Sequence, residues 1–252
     1  MSNSPSTVVL ITGANSGVGF ATAKAVALAS PEYHVIIGSR SLANGQAAVQ
    51  EIQSSETTKG SLSSVQIDVT DPTSIESAAK QIESQFGRLD VLINNAGVAS
   101  QAQSTKTAME ETFAVNSIGP ALVAETFNPL LMKSARPYSI FVSSVLGSLS
   151  EAADPASLAY YYDGVTYRMS KAALNMLVVQ QHKQFGPKGI HVFAVCPGLV
   201  RSNLRGKDEE AVSAGGRAGD PMVSAEMILG IIEKKRDGDV GKFLRGERVV
   251  NW

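Results

Sequence analysis

Cysteine is almost absent: Cys196 stands alone among 252 residues, so no internal disulfide can form and the even cysteine count of a stapled secreted domain is missing. An excess of either charge is also lacking. Twenty-two Lys and Arg against 23 Asp and Glu leave a net charge of -1, which removes the bulk electrostatic pull toward nucleic acid or anionic membrane. No apolar run approaches the roughly 18 residues of a membrane span. The N-terminal MSNSPSTVVLITGANSG has no basic stretch ahead of its apolar run, unlike a secretory signal. His34, His182 and His191 are scattered, without the spacing of metal ligands or of a Ser-His-Asp set, and structural roles are expected for them. Cys196, followed by Pro197 and with no histidine apparent as partner, reads as a small buried hydrophobe. The expectation is a soluble, cytoplasmic protein with no nucleic-acid, membrane or metal partner.

What is present is a 44% hydrophobic chain of a length that fills one substantial core, read as one domain over residues 1–252. Apolar, β-branched runs at Thr7–Thr12, His34–Ser39, Leu62–Asp68, Leu89–Asn94, Ser139–Ser143, Ile190–Val195 and Gly241–Leu244 read as seven strands. Helical stretches lie between them at Gly17–Ser30, Leu42–Ser55, Thr73–Phe86, Met109–Lys133, Val165–Phe185 and Met222–Lys235. Because runs such as VVLIT, VLIN, IFVSS and HVFAV are apolar almost throughout, the strands are expected to be buried on both faces. That predicts an α/β fold with a doubly wound parallel sheet. Right-handed crossovers then place every strand's C-terminal end on one rim, where a ligand crevice forms. The least regular stretches, Gly147–Gly164 and Asn203–Pro221, both follow strands and so border that rim.

Directly after the first strand, Thr12-Gly13-Ala14-Asn15-Ser16-Gly17-Val18-Gly19 opens the first helix, where free N–H groups and the helix dipole favour a phosphate. Its T-G-x-x-x-G-x-G spacing differs from the G-x-G-x-x-G dinucleotide fingerprint, and a plain helix-opening loop is the competing reading. A dinucleotide site that selects NAD offers a carboxylate after the second strand, whereas an arginine there receives a 2′-phosphate. The sequence is Gly38-Ser39-Arg40-Ser41, with a guanidinium and no acid, which favours NADP over NAD unless Arg40 is merely solvated. Asp68 is placed either to accept from an adenine amino group or to cap local turns with Asp71.

Tyr167 and Lys171 are four residues apart on a helical stretch, so phenol and ammonium project from one face. A neighbouring cation favours phenolate and lowers a pKa that is ordinarily near 10, which suits Tyr167 to general acid–base work. Tyr160, Tyr161 and Tyr162 serve as internal decoys, since Gly164, Val165 and Thr166 stand four residues after them. Ser143 and Ser144 end the fifth strand on the functional rim, and a turn with Gly147 is the alternative use for them. Asn116 lies mid-helix, where asparagine has mediocre propensity; it either distorts the helix, holds a water or is simply exposed. Asn94-Asn95-Ala96-Gly97 brings backbone close to a ligand or makes a plain turn.

In this order, TGANSGVG at 12–19, NNAG at 94–97, Asn116, Ser144, Tyr167-x-x-x-Lys171 and Pro197-Gly198 resemble the short-chain dehydrogenase/reductase family over nearly the whole chain. The branch they look most like is that of carbonyl reductases, including ketoreductases of fungal secondary metabolism. The resemblance implies a Rossmann-type fold, NADP(H) as cofactor and a small-molecule carbonyl substrate. It implies that Tyr167 protonates the carbonyl oxygen, Ser144 hydrogen-bonds it, Lys171 binds the nicotinamide ribose and lowers the Tyr167 pKa, and Asn116 holds a relay water. Ser144 is preferred to Ser143 because the family's serine stands three residues before a glycine, as Ser144 does to Gly147. Cofactor contacts are implied for Gly13, Asn15, Ser16, Gly17, Val18 and Gly19, for Arg40, Asp68 and Val69, and for Asn95, Ala96 and Gly97. Tyr167, Lys171, Pro197, Gly198, Val200 and Ser202 complete that set.

Two departures from the family pattern matter. Extra length at about 147–164 lies beside the site and near the helices through which many members form tetramers, so a monomer or homodimer is expected. In the Pro-Gly segment the usual threonine that touches the nicotinamide carboxamide is replaced by Ser202, which keeps the hydroxyl. The glycine-rich stretch at about 199–221 is read as a substrate loop that closes as a lid or is merely flexible. Within it, Arg201, Arg205 and Lys207 either attract an acidic or phenolate substrate or stay solvated. An NADPH-dependent carbonyl reductase is the leading expectation. An NADP-dependent alcohol dehydrogenase working oxidatively and a non-catalytic NADP(H)-sensing protein are the alternatives.

Overall fold

The computed structural model describes residues 7–55 and 57–252. Its strands are β1 (Thr7–Thr12), β2 (Tyr33–Ser39), β3 (Ser61–Gln66), β4 (Val91–Asn94), β5 (Tyr138–Val142), β6 (His191–Val195), β7 (Phe243–Arg245) and β8 (Arg248–Val250). The principal helices are α1 (Gly17–Ala29), α2 (Leu42–Ser55), α3 (Pro72–Phe86), α4 (Thr105–Phe113), α5 (Gly119–Leu131), α6 (Leu149–Ala153), α7 (Val165–Phe185), α8 (Glu209–Ser213) and α9 (Pro221–Ile232).

Along β1 the apolar side chains alternate between two cores: Val8 and Leu10 join α3, α5 and α7 through Ile75, Phe127 and Leu174. Val9 and Ile11 meet α1, α2 and α9 through Val26, Ile52 and Ile228. A strand with both faces under helices needs apolar residues at every position, which is why these strands read as continuous hydrophobic runs. The sheet order is β3-β2-β1-β4-β5-β6-β7-β8. The chain winds outward from β1 to β3 and then returns to lay β4 beside β1. This reversal opens the crevice at the ends of β1 and β4.

The sheet has eight strands rather than the expected seven. Gly246-Glu247 reverses the chain, with Gly246 at φ +55°, and β8 folds back antiparallel on β7. At three residues β8 is too short to show an alternation in sequence. The helix expected over Met109–Lys133 is instead broken. Between α4 and α5, Ala114–Ile118 form a single wide turn in which the Gly119 N–H bonds Ala114 O, five residues back.

The insertion after β5 folds into the short α6 flanked by two tight turns and is tied to the far end of the chain. Ser148 Oγ donates to Asn251 O at 2.6 Å, and the Ser150 N–H and hydroxyl donate to the main-chain oxygen of Trp252 at 3.1 and 2.7 Å. The segment after β6 closes on itself, since Arg201 N donates to Gly219 O and Gly219 N to Leu199 O. No helix among the described residues is long and apolar enough to cross a membrane.

Candidate active site

The loop after β1 is held open from behind. Thr12 Oγ1 accepts the N–H groups of Asn95 and Ala96 at 3.0 and 3.1 Å, while Asn95 Nδ2 donates to Thr12 O at 2.8 Å and Gly13 O at 3.2 Å. These bonds lock the β1 and β4 loops into one platform. Gly13 sits at φ +64°, and a Cβ there would stand 2.9 Å from the Ala96 backbone, so only glycine lets the two loops approach. Ser16 caps α1 without a side-chain bond, leaving the first-turn N–H groups turned toward the crevice.

Beyond β2, Ser39 Oγ donates to Asn15 Oδ1 at 3.2 Å, and the exposed Arg40 follows. Asp68 lies two residues past the end of β3, where Thr70 donates to it through both N–H (2.9 Å) and hydroxyl (2.7 Å). Burial opposes its ionisation, yet these bonds and the nearby Arg40 charge hold the carboxyl below its usual range.

At the other end, the wide turn before α5 presents Asn116, fully buried. Its Oδ1 accepts Val98 N–H at 2.8 Å, and its Nδ2 donates to Val98 O at 2.8 Å and Ser170 Oγ at 3.1 Å. The asparagine therefore pins the β4 loop to α7. Gly147 lies against the same helix: a Cβ on it would come within 2.5 Å of the Lys171 carbonyl carbon. This contact brings the serine turn after β5 onto α7, where the Ser144 hydroxyl, which accepts Leu146 N–H at 3.2 Å, faces the same cleft as the Tyr167 phenol and favours its ionised form. One turn along, Lys171 is 4% exposed; its Nζ donates to Val142 O at 2.9 Å and stands 5.7 Å from the Tyr167 ring centre.

The charges differ from the simple expectation. Burial of Tyr167 raises its phenol above the ordinary value, with the Cys196 thiol adding to the effect and the Ser144 hydrogen bond and the Arg205 charge opposing it. The expected lowering by Lys171 is not what dominates. Burial also acts on the ammonium, pulling Lys171 down from 10.5 to about 8.

A cleft of about 550 Å³ runs along this rim. It brings together Gly13, Asn15, Ser16, Gly17, Val18, Arg40, Asp68, Val69, Asn95, Ala96 and Gly97 with Ser144, Tyr167, Lys171, Pro197, Gly198, Val200 and Ser202. Gly19 and Asn116 do not line it. Gly19 lies beneath the loop, where a Cβ would meet Asn95 Nδ2 at 2.4 Å, and Asn116 lies behind the β4 loop. The decoys Tyr160, Tyr161 and Tyr162 are exposed. Sequence reasoning missed Thr12 as the joint between the loops; the signal was a hydroxyl at the strand end, beside backbone N–H groups that need an acceptor. It also missed Thr70 and the loop residues Val98, Ala99 and Gln101, which line the cleft without a motif of their own.

The family profile for short chain dehydrogenases matches residues 7–213. The chain is 34% identical over 259 residues to the short-chain dehydrogenase/reductase tropE of Talaromyces stipitatus, with 94% of each protein covered. It is 33% identical over 275 residues to eupG of a Phoma species, described in the same words, with 98% of each covered. The crystal structure of the NADPH-bound carbonyl reductase from chicken fatty liver aligns at a TM-score of 0.82 and 31% identity, over 98% of this chain and 99% of that one. On fold, cleft and likeness together, this chain belongs to the short-chain dehydrogenase/reductase family, enzymes that act on CH–OH and C=O groups with a nicotinamide dinucleotide.

Proposed function

We propose that the protein is an NADPH-dependent carbonyl reductase that converts a ketone, aldehyde or quinone to the alcohol. The observation that carries this reading is the meeting of the Ser144 hydroxyl and the Tyr167 phenol in one cleft, with the Lys171 ammonium one helical turn on and 5.7 Å from the phenol ring centre.

The residues present fit the cofactor. The uncapped start of α1 offers backbone N–H groups to a pyrophosphate, and the cradle at Gly13 has no room for a Cβ. Arg40 borders the cleft where a 2′-phosphate is received, with no carboxylate at the end of β2. When bound, the reduced nicotinamide supplies the hydride that reaches the carbonyl carbon.

The protein supplies orientation and the proton. Ser144 Oγ and Tyr167 Oη hydrogen-bond the carbonyl oxygen, and the Tyr167 proton moves to that oxygen as negative charge develops. A phenol held above its ordinary value stays protonated at neutral pH, the form an acid needs. The Lys171 charge stabilises the phenolate left behind. Asn116 holds the β4 loop and α7 in register, the setting in which we place its relay role. Exposed Val165, Met169 and Met176 along α7 favour a homodimer over a monomer.

The test is loss of NADPH absorbance with a panel of ketones, aldehydes, quinones and aromatic polyketides, with NADH and Tyr167→Phe run in parallel. Turnover with NADPH that vanishes in the variant, while NADPH binding persists, is the expected result. Retained turnover in Tyr167→Phe removes the proposed acid.

A further inference from the structure

Three basic residues open the segment after β6, and their surroundings differ. Arg201 forms a two-pronged pair with Glu209, both bonds at 2.9 Å, so its charge is matched by a carboxylate. Arg205 is half-buried and has no carboxylate within ion-pair distance among the described residues. Its Nε donates to Ala211 O at 3.0 Å, and Nη2 donates to Val200 O and Val212 O, each at 2.9 Å. Those bonds use three of the five N–H donors of a guanidinium. The two on Nη1 have no acceptor within the described residues, and the group is held rigid on three backbone carbonyls.

Position adds to this. Arg205 lines the same cleft as Ser144 and Tyr167, and its charge is felt at the Tyr167 phenol. The exposed Lys207, two residues on, lines the cleft as well. Among the charged side chains of the cleft, Arg40 and Asp68 stand at the β2–β3 side and influence one another. That leaves Lys171, Arg205 and Lys207 at the β5–β6 side with no acid facing them among the cleft-lining residues. A half-buried, fixed guanidinium without a counter-charge is costly unless a ligand supplies the anion.

We propose that Arg205, assisted by Lys207, binds an anionic oxygen of the substrate, a carboxylate or phenolate carried by the same molecule as the reacting carbonyl. The inference rests on the carbonyl-reductase reading of this cleft and deepens it from carbonyl compounds in general to acidic ones. A preformed guanidinium recognises such an oxygen through charge-assisted bonds and rejects the neutral analogue, because the site's donors are then left unpaired.

The experiment titrates NADPH-loaded enzyme with 3-acetylbenzoate and with its methyl ester by calorimetry, at low and high sodium chloride. The acid is expected to bind about tenfold or more tighter than the ester, and the ratio to shrink as salt rises. In Arg205→Gln the ratio falls toward one; general damage to the loop weakens both probes and leaves the ratio in place. The salt arm needs only the unaltered protein, so it stands even where the variant folds poorly. Equal affinities, binding of neither probe, or an unchanged ratio in the folded variant overturns the proposal. So does a variant whose loss is confined to NADPH affinity, which assigns Arg205 to the cofactor. Reduction of the neutral 9,10-phenanthrenequinone tests the reductase reading separately. An acid preference without turnover of any carbonyl compound sinks that reading and leaves the anion site standing.

Discussion

Lys171 carries an ionisable amine into a protein interior, and the consequence is measurable apart from catalysis. Burial lowers its pKa from 10.5 to about 8, so below pH 8 the folded state bears the full penalty of a buried charge. As pH rises from about 8 to about 10.5 the folded chain sheds that proton before the unfolded chain does, and this residue's contribution turns more favourable by about 3 kcal/mol. Lys171→Met is therefore expected to be more stable than the parent at pH 7, by about 1–2 kcal/mol once the lost bond to Val142 O is subtracted, and to be inactive. Urea unfolding at pH 7 and pH 10 checks it: the gap between the two proteins should narrow at the higher pH. Arg40 gives a second test. Arg40→Ala is expected to lower kcat/KM for NADPH by about 10- to 100-fold while leaving NADH use little changed, because only the 2′-phosphate loses its partner; steady-state rates with both cofactors decide it. Which tyrosine and lysine the cleft brings together was legible here, since Tyr167 and Lys171 stand one helical turn apart and no decoy tyrosine has a lysine so placed. The direction of the Tyr167 shift was not. Spacing reports that a cation is near, but the desolvation that outweighs it depends on packing from β5, β6 and the loops, which no local pattern encodes.

Between residue and fold stand the close approaches of one element to another. Gly147 lets the turn after β5 rest on the backbone of α7, with a hypothetical Cβ 2.5 Å from the Lys171 carbonyl carbon and 2.7 Å from Ala172 N. Because both obstacles are main chain, no rotamer change relieves the clash. Gly147→Ala should push the turn from the helix, cost about 3 kcal/mol and separate Ser144 from Tyr167. The measurement is guanidinium unfolding combined with kcat, and unaltered stability with unaltered kcat would refute this account of the glycine. Most elements were visible in the sequence because strands buried on both faces write themselves as apolar runs and helices as longer Ala-rich segments. The break at Ala114–Ile118 was not visible as geometry. Asn116 signalled something unusual through its poor helix propensity, but whether it bends the helix or bonds across it depends on Val98 and Ser170, which lie 18 and 54 residues away.

Across the whole molecule, function follows from the place where the sheet reverses its winding order. Residues as far apart in sequence as Gly13, Arg40, Asn95, Tyr167 and Arg205 share one cleft because each follows a parallel strand or begins the helix after it. That much of the architecture was legible, since alternating strands and helices with right-handed crossovers leave few other arrangements. How the insertion after β5 is anchored was hidden, because its partners are supplied from about a hundred residues on. Trp252 stacks on Phe243 with ring centres 5.5 Å apart, and its main-chain oxygen and that of Asn251 accept the bonds of Ser148 and Ser150. The same ring thus packs on the core below β7 and fixes the chain that holds α6. Removing it in Trp252→Ala should cost about 2 kcal/mol of stability. The loss should also be local: amide exchange should quicken across 148–153, where Ser150 N–H bonds that chain, while the central strands β1 and β4, paired on both sides, keep their protection. If exchange rises uniformly through the sheet instead, the C-terminal residues support the core as a whole and the insertion has its anchor elsewhere. Because the insertion borders the serine turn at Val145–Gly147, a local loosening should reach the active site first as a change in kcat/KM for bulky substrates, with cofactor affinity unaffected.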